Sequence, residues 1–259
     1  MLVEGRGAIV SGIGPGLGRS IARALAREGA DVALAARTAE SLDAVADEVR
    51  SLGRRAVSIP TDVSRPEDCA KLVETAKAEL GRIDVLVLNA FLSAPYEPIE
   101  SAKLESWRKI FDVNVFSALS LVQAVVPEMK ARGSGSIVIV NSMSIRIVEP
   151  RFGGYAASKG ALLTMSRTMA KELGAYGIRV NSIVPGYIWG PNVERYFQHQ
   201  AKTRGITPEA VYAEVASQTA LNHIPTADEI AETVLFFASD LSRAVTGQSL
   251  DVNAGHYFD

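Results

Sequence analysis

In the segment GGYAASKG, Tyr155 and Lys159 stand four residues apart, so a helix would carry them on one face. Alone, such a pair is also an ordinary feature of a helix surface. The chemistry it could do follows from acidity. A free phenol ionises near pH 10, and acting as a base near pH 7 requires lowering that by roughly three units, or about 4 kcal/mol. An ammonium within reach supplies roughly one to three of those units. Ser142 in GSIVIVNS and Asn114 in DVNVFSAL are the polar residues that could join the pair at one mouth. Tyr155 would then exchange a proton with a substrate oxygen, and Ser142 would hydrogen-bond that oxygen.

A second stretch, SGIGPGLGRS at residues 11 to 20, is rich in glycine. A Walker phosphate loop fails on spacing, because the second glycine would fall at Leu17 or Arg19. The G-x-G-x-x-G fingerprint fails at the same two positions. What remains is G-x-x-x-G-x-G, formed by Gly12, Gly16 and Gly18, with Pro15 and Leu17 between them. Opening a helix directly after a strand, these amides and the helix dipole would face a phosphate.

Seven short apolar runs alternate with amphipathic segments: 7–11, 31–37, 55–62, 84–90, 135–142, 178–186 and 248–255. Their near-continuous apolar character suits parallel strands covered on both faces. Between them, RSIARALAREG carries Ile21, Ala22, Leu25 and Ala26 at helical spacing. Ser64 with Glu67, and Thr226 with Glu229, read as capping boxes. The pattern predicts one α/β domain over 1–259: a doubly wound, Rossmann-type, seven-stranded parallel sheet with helices on both faces. Ligands of such sheets bind beyond the carboxyl ends of the strands, where the winding reverses.

The chain of 259 residues has a formal net charge of -2, which argues against nucleic acid or an anionic membrane as partner. One cysteine, Cys69, excludes an internal disulfide framework and reads as a buried helix residue. The apolar run at 7–11 is too short for a signal-peptide core, and no run is expected to reach transmembrane length. A cytoplasmic protein is the expectation. His199, His223 and His256 lack metal-ligand spacing, so no metal is expected.

Over essentially its whole length the chain resembles the short-chain dehydrogenase/reductase family. The glycine loop is similar to that family's T-G-x-x-x-G-x-G, with Ser11 for threonine, and Tyr155 to Lys159 matches Y-x-x-x-K. Ser142 stands 13 residues before Tyr155 (155 − 142), and Asn114 matches the asparagine of the catalytic tetrad. The resemblance implies a catalytic set of Asn114, Ser142, Tyr155 and Lys159, with Lys159 also on the nicotinamide ribose and Asn114 helping to hold a relay water. It further implies that Asp62 and Val63 meet the adenine, that Asn89 and Ala90 line the cofactor, and that the Ile188 amide meets the carboxamide. Leu88, Phe91 and Gly190 depart from the family pattern; Phe91 puts a bulky ring where glycine is usual, which would narrow the substrate mouth.

At the end of the second strand, where NAD enzymes of this architecture commonly carry a carboxylate for the ribose 2'-hydroxyl, this chain has Ala36 followed by Arg37. A guanidinium suits a phosphate, which favours NADP(H) over NAD(H); the other reading is a surface arginine starting the next helix. Residues 187–225 form the longest stretch without a strand, with helices expected near 191–204 and after Thr207. Tyr187, Trp189, Tyr196, Phe197 and Tyr212 make it aromatic, as an apolar lid over a ketone or alcohol would be, although aromatics also anchor ordinary cores. Ile145, Ile147, Val148 and Phe152 are expected to add a second wall. The leading reading is an oxidoreductase interconverting a secondary alcohol and a ketone on an apolar or cyclic small molecule. The alternatives are reduction of a 3-oxoacyl thioester and a nicotinamide-binding regulator without turnover. The resemblance implies a homotetramer through the helices near 101–131 and 154–175, with Leu119, Val122, Leu162 and Met165 available to it.

Overall fold

Alternation along the first strand, β1 (Gly7–Ser11), divides the interior in two. In the computed structural model, which describes residues 1–258, Ala8 and Val10 join the core on one side of the sheet and Ile9 the core on the other. The same division runs through β2 (Asp31–Ala36) and β4 (Val85–Leu88), so these strands are apolar throughout rather than alternately polar. With β3 (Ala56–Pro60), β5 (Gly135–Val140), β6 (Ile178–Pro185) and β7 (Ser249–Val252) they form one sheet in the order 3-2-1-4-5-6-7. Every pairing is parallel.

One face is covered by α1 (Leu17–Arg27), α2 (Ala39–Ser51) and α9 (Ala227–Ala238), the other by α3 (Pro66–Leu80), α5 (Ser117–Arg132) and α6 (Gly153–Leu173). Between them in sequence, α4 (Leu104–Phe111) runs into α5 through a π-helical turn, Asp112–Phe116. The helices α7 (Pro191–Arg204) and α8 (Pro208–Ser217) stand apart around their own small core of Phe197, Ala201, Val211, Ala216 and Ile224. The Thr207 hydroxyl caps α8 at the Ala210 amide, 3.2 Å away.

Three expectations need correction or sharpening. The Thr226–Glu229 capping box forms, but Ser64 caps nothing. Pro66 takes the first helical position and holds Arg65 extended, so the helix starts one residue later than a Ser64 cap requires. The Ser64 hydroxyl instead donates to Asp62 at 2.7 Å. The helix Leu104–Arg132 is long and apolar enough to cross a membrane, contrary to the expectation that no run would be. Its Leu121, Val125 and Met129 are wholly buried against the sheet, which accounts for that apolar character. Of the residues offered for subunit contact, Val122 and Leu162 likewise face the core; Leu119 is exposed.

Winding runs outward from β1 to β3 in one direction and from β4 to β7 in the other, so the crevice opens above the carboxyl ends of β1 and β4. Glycine is required at two positions after β1. Gly12 has φ +82°, and a Cβ there would lie 2.5 Å from the Ala90 Cα; at Gly18 it would lie 2.4 Å from the Gly12 carbonyl oxygen.

Candidate active site

The glycine loop is anchored by backbone. The Gly12 and Ile13 amides both donate to the Ala35 carbonyl, at 2.8 and 3.0 Å. Buried Asn89, at the end of β4, donates from Nδ2 to the Gly12 carbonyl at 2.7 Å. Gly16 caps α1, and a Cβ on it or on Gly14 would meet nothing within 4 Å. No contact within the chain demands glycine there, whereas bare backbone lets a pyrophosphate approach the start of α1. A cleft of about 280 Å³ extends from this loop past Arg37, Asp62, Val63, Asn89 and Ala90. Ala35, Thr61, Leu92 and Val113 also line it. The residues present therefore fit a dinucleotide.

Across the cleft from β2, Asp62 has its carboxyl lowered below the usual range, chiefly by the Ser64 hydroxyl and also by the Arg37 guanidinium. Arg37 and Asp62 both line this part of the cleft. Ile188 is half-buried against the sheet, and the next amide, Trp189, donates to the Pro225 carbonyl at 2.8 Å.

The four residues of the second motif do converge. Ser142 follows β5, Tyr155 and Lys159 lie on α6, and the Ser142 hydroxyl is near enough to the Tyr155 phenol to favour its ionised form. Lys159 is buried, and its Nζ donates to the Val140 carbonyl at 2.8 Å. The ammonium nitrogen lies 5.6 Å from the centre of the Tyr155 ring and 6.0 Å from that of Phe91. Phe91 meets Tyr155 edge-on at 6.3 Å, so the ring expected to narrow the mouth does border the phenol. Burial pushes Tyr155 up to about 12, opposed by the Ser142 hydrogen bond, and pushes Lys159 down to about 7.

Asn114 sits at the π turn, where an extra residue is accommodated in the helix. Its Oδ1 accepts from the Leu92 amide at 2.7 Å, while Nδ2 donates to the Leu92 carbonyl at 3.1 Å and to the Ser158 Oγ at 2.9 Å. Ser158 in turn donates to the Tyr155 carbonyl at 2.7 Å. Its hydroxyl links Asn114 to the helix turn carrying Tyr155 and Lys159, a role not read from the sequence although Ser158 lies inside the motif. Among the described residues no three of His, Cys, Asp or Glu gather to hold a metal ion.

A dinucleotide cleft at the switch point, joined through Phe91 to a buried tyrosine and lysine pair, defines the class: an α/β oxidoreductase that works with a nicotinamide cofactor, NAD or NADP. Comparison with known proteins narrows this. A family model described as enoyl-(acyl carrier protein) reductase matches residues 12–257. The cis-4-hydroxycyclohexanecarboxylate dehydrogenase of Sinomonas cyclohexanicum is 33% identical, with 97% of this chain and 96% of that protein covered. A short-chain type dehydrogenase/reductase from Mycobacterium marinum superposes with a TM-score of 0.86 at 30% identity, covering 99% of this chain and 97% of its own. Carveol dehydrogenase from Mycobacterium avium, in complex with NAD, gives a TM-score of 0.91 at 32% identity, covering 98% of each chain. The chain belongs to the short-chain dehydrogenase/reductase family.

The burial of Lys159 has a measurable consequence. Its folded pKa of about 7 lies below the ordinary lysine value, so between those two pH values the unfolded chain binds more protons than the folded one. Stability of the free protein therefore rises with pH from about 7 to about 8.5, below the range where the raised Cys69 and Tyr155 groups reverse the slope. Lys159→Met should flatten that rise in the urea midpoint; an unchanged slope would mean that Lys159 titrates as in water.

Proposed function

We propose that this chain is an NADP(H)-dependent oxidoreductase that interconverts a secondary alcohol and a ketone on an apolar or cyclic small molecule. The observation that carries the reading is the phenol of Tyr155, held between a hydroxyl donor and a buried lysine at the edge of the dinucleotide cleft.

The bound nicotinamide supplies the hydride acceptor or donor. In alcohol oxidation Tyr155 Oη takes the hydroxyl proton as the carbon gives up hydride, and Ser142 donates a hydrogen bond to the same oxygen. In reduction Tyr155 returns a proton to that oxygen. The phenolate needs positive charge beside it, and Lys159, pinned by the Val140 carbonyl, is the group placed to provide it. Asn114 acts through Leu92 and Ser158 to keep the loop after β4 and the Tyr155 turn in register, and a relay water beside it is part of this reading. Gly12, Gly16 and Gly18, with Pro15 and Leu17, take the pyrophosphate; Asp62, Val63, Asn89, Ala90 and the Ile188 amide take the remainder of the cofactor.

The choice of NADP rests on Arg37, exposed at the rim of the cleft beside Ala36, where a carboxylate would otherwise bind the ribose hydroxyl. The carveol dehydrogenase neighbour was solved with NAD, so the reading of NADP rests on Arg37 and the missing carboxylate. Residues 187–225 form a lid on the single domain of 1–259, consistent with the separate core of α7 and α8. Phe116 and Leu119, exposed on the long helix, are available to a homotetramer. A cytoplasmic site accords with one buried thiol, Cys69, pushed up to about 11 by burial and so unreactive. Reduction of a 3-oxoacyl thioester is the second reading, supported by the 3-oxoacyl-[acyl-carrier-protein] reductase of Thermotoga maritima, 33% identical with 98% of this chain and 99% of that protein covered.

Tyr155→Phe should abolish hydride transfer, by at least about a thousandfold for a lost acid-base group, while cofactor binding by fluorescence titration stays unchanged. Retained turnover would reject the proton-transfer role. Arg37→Ala should weaken NADPH by roughly tenfold, the worth of a charge-assisted contact of about 1.4 kcal/mol, and leave NADH nearly as before. Equal weakening of both would count against the phosphate assignment.

A further inference from the structure

Lys159 brings three N–H donors into a dry site. One of them meets the Val140 carbonyl at 2.8 Å, and among the described residues no second acceptor within the chain receives the other two. No carboxylate or cation on the elements packed against α6 acts on its ionisation; burial alone pushes it down to about 7. The polar groups gathered at the site are neutral: Ser142 after β5, Asn114 at the π turn acting through Ser158, and the Tyr155 phenol, pushed up to about 12. What complements the ammonium is ring surface. Its nitrogen lies over two rings, 5.6 Å from the centre of Tyr155 and 6.0 Å from that of Phe91.

Tyr155 is placed there by its own proton chemistry. Phe91 has no such reason, and core packing does not account for it either. Its ring is 57% exposed and lines the dinucleotide cleft, outside both cores that flank the sheet. Its contact with Tyr155 is edge to face, with centres 6.3 Å apart and 74° between planes, which ties Phe91 to the phenol that the lysine serves. A π face carries negative charge and attracts a cation within about 6 Å, more strongly where water is excluded. Lys159 has lost its water and gained a single carbonyl, so such a face counts among the few groups that favour its charged form. An aliphatic side chain after Ala90 would offer none.

We propose that Phe91 is a positioning residue whose π face holds the Lys159 ammonium in its charged form beside Tyr155. The effect on the lysine belongs to the free chain. The part it plays in the reaction rests on the alcohol–ketone reading above, in which the phenolate needs that charge. The sign is fixed by the chemistry: a negative ring face favours the ammonium over the neutral amine, so it raises the pKa of Lys159, and weakening the face lowers it.

The test weakens the π face while keeping the shape of the side chain. Phe91 is replaced in the full-length protein by 4-fluoro-, 3,5-difluoro- and 3,4,5-trifluorophenylalanine, which draw charge from the ring face in steps at nearly constant size. Lysine labelled with carbon-13 at Cε is titrated by NMR, and the Lys159 signal is identified by its loss in Lys159→Met. The pKa of Lys159 should fall at each step, by about half a unit over the series, as a cation–π contact of this span provides. Trifluorophenylalanine in place of Phe152, whose ring lies against Tyr155 at 4.7 Å, should leave it unchanged. A lysine pKa that stays fixed along the Phe91 series, that rises, or that falls equally with the altered ring at Phe152 would overturn the proposal. Ketone reduction by NADPH is read separately across pH. A lysine that responds to the fluorines in a protein without turnover keeps the role of Phe91 toward the charge and rejects the oxidoreductase, whereas turnover with a lysine that ignores them does the reverse.

Discussion

The site depends on a charged group held where charge is costly. Lys159 is buried on α6 between the end of β5 and the Phe91 ring, and among the described residues its Nζ donates to a neutral partner, the Val140 carbonyl. Burial therefore brings its pKa down to about 7, where a small change in surrounding charge decides its protonation. The phenol beside it is subject to the opposite pressure, and the two shifts have one origin. Each group disfavours its own charge in a dry site, and each would favour the other's. Much of the nearby architecture serves to keep that pair together: the Ser142 hydroxyl on the phenol, the Ser158 hydroxyl on the Tyr155 carbonyl, and the Asn114 amide on Ser158 and Leu92.

The dinucleotide half is built on a different principle, close approach of backbone. Gly12 and Gly18 are required by contacts inside the chain, whereas Gly14 and Gly16 leave open space above the end of α1. The Asn89 amide joins β4 to the loop after β1 across the reversal of the sheet. The two halves meet along the segment after β4, where Ala90, Phe91 and Leu92 pass from the cleft to the rings around Tyr155.

Most of the scaffold was legible because parallel strands buried on both faces are short and apolar without interruption, and here they recur between longer amphipathic segments. The glycine loop and the Tyr155–Lys159 spacing were legible because they are local. What could not be read depended on contacts between distant segments. The π turn at Asn114 reflects bonds to Leu92 and Ser158, 22 and 44 residues away. Ser64 has the composition of a cap, but Pro66 settled where the helix starts and Asp62 claimed the hydroxyl. The sequence marked Phe152 as a wall residue, yet the stack on Tyr96 required the loops after β4 and β5 to meet.

The central claim is that Tyr155 works as an acid and base because positive charge gathers beside it in a dry site. An ultraviolet difference titration of the phenol, wild type minus Tyr155→Phe, measures this directly with and without NADP+. The account predicts an ionisation near pH 12 in the free protein, moving by several units toward neutrality in the complex. A phenol that still ionises above about pH 10 with NADP+ bound, no lower than a free tyrosine, would contradict it.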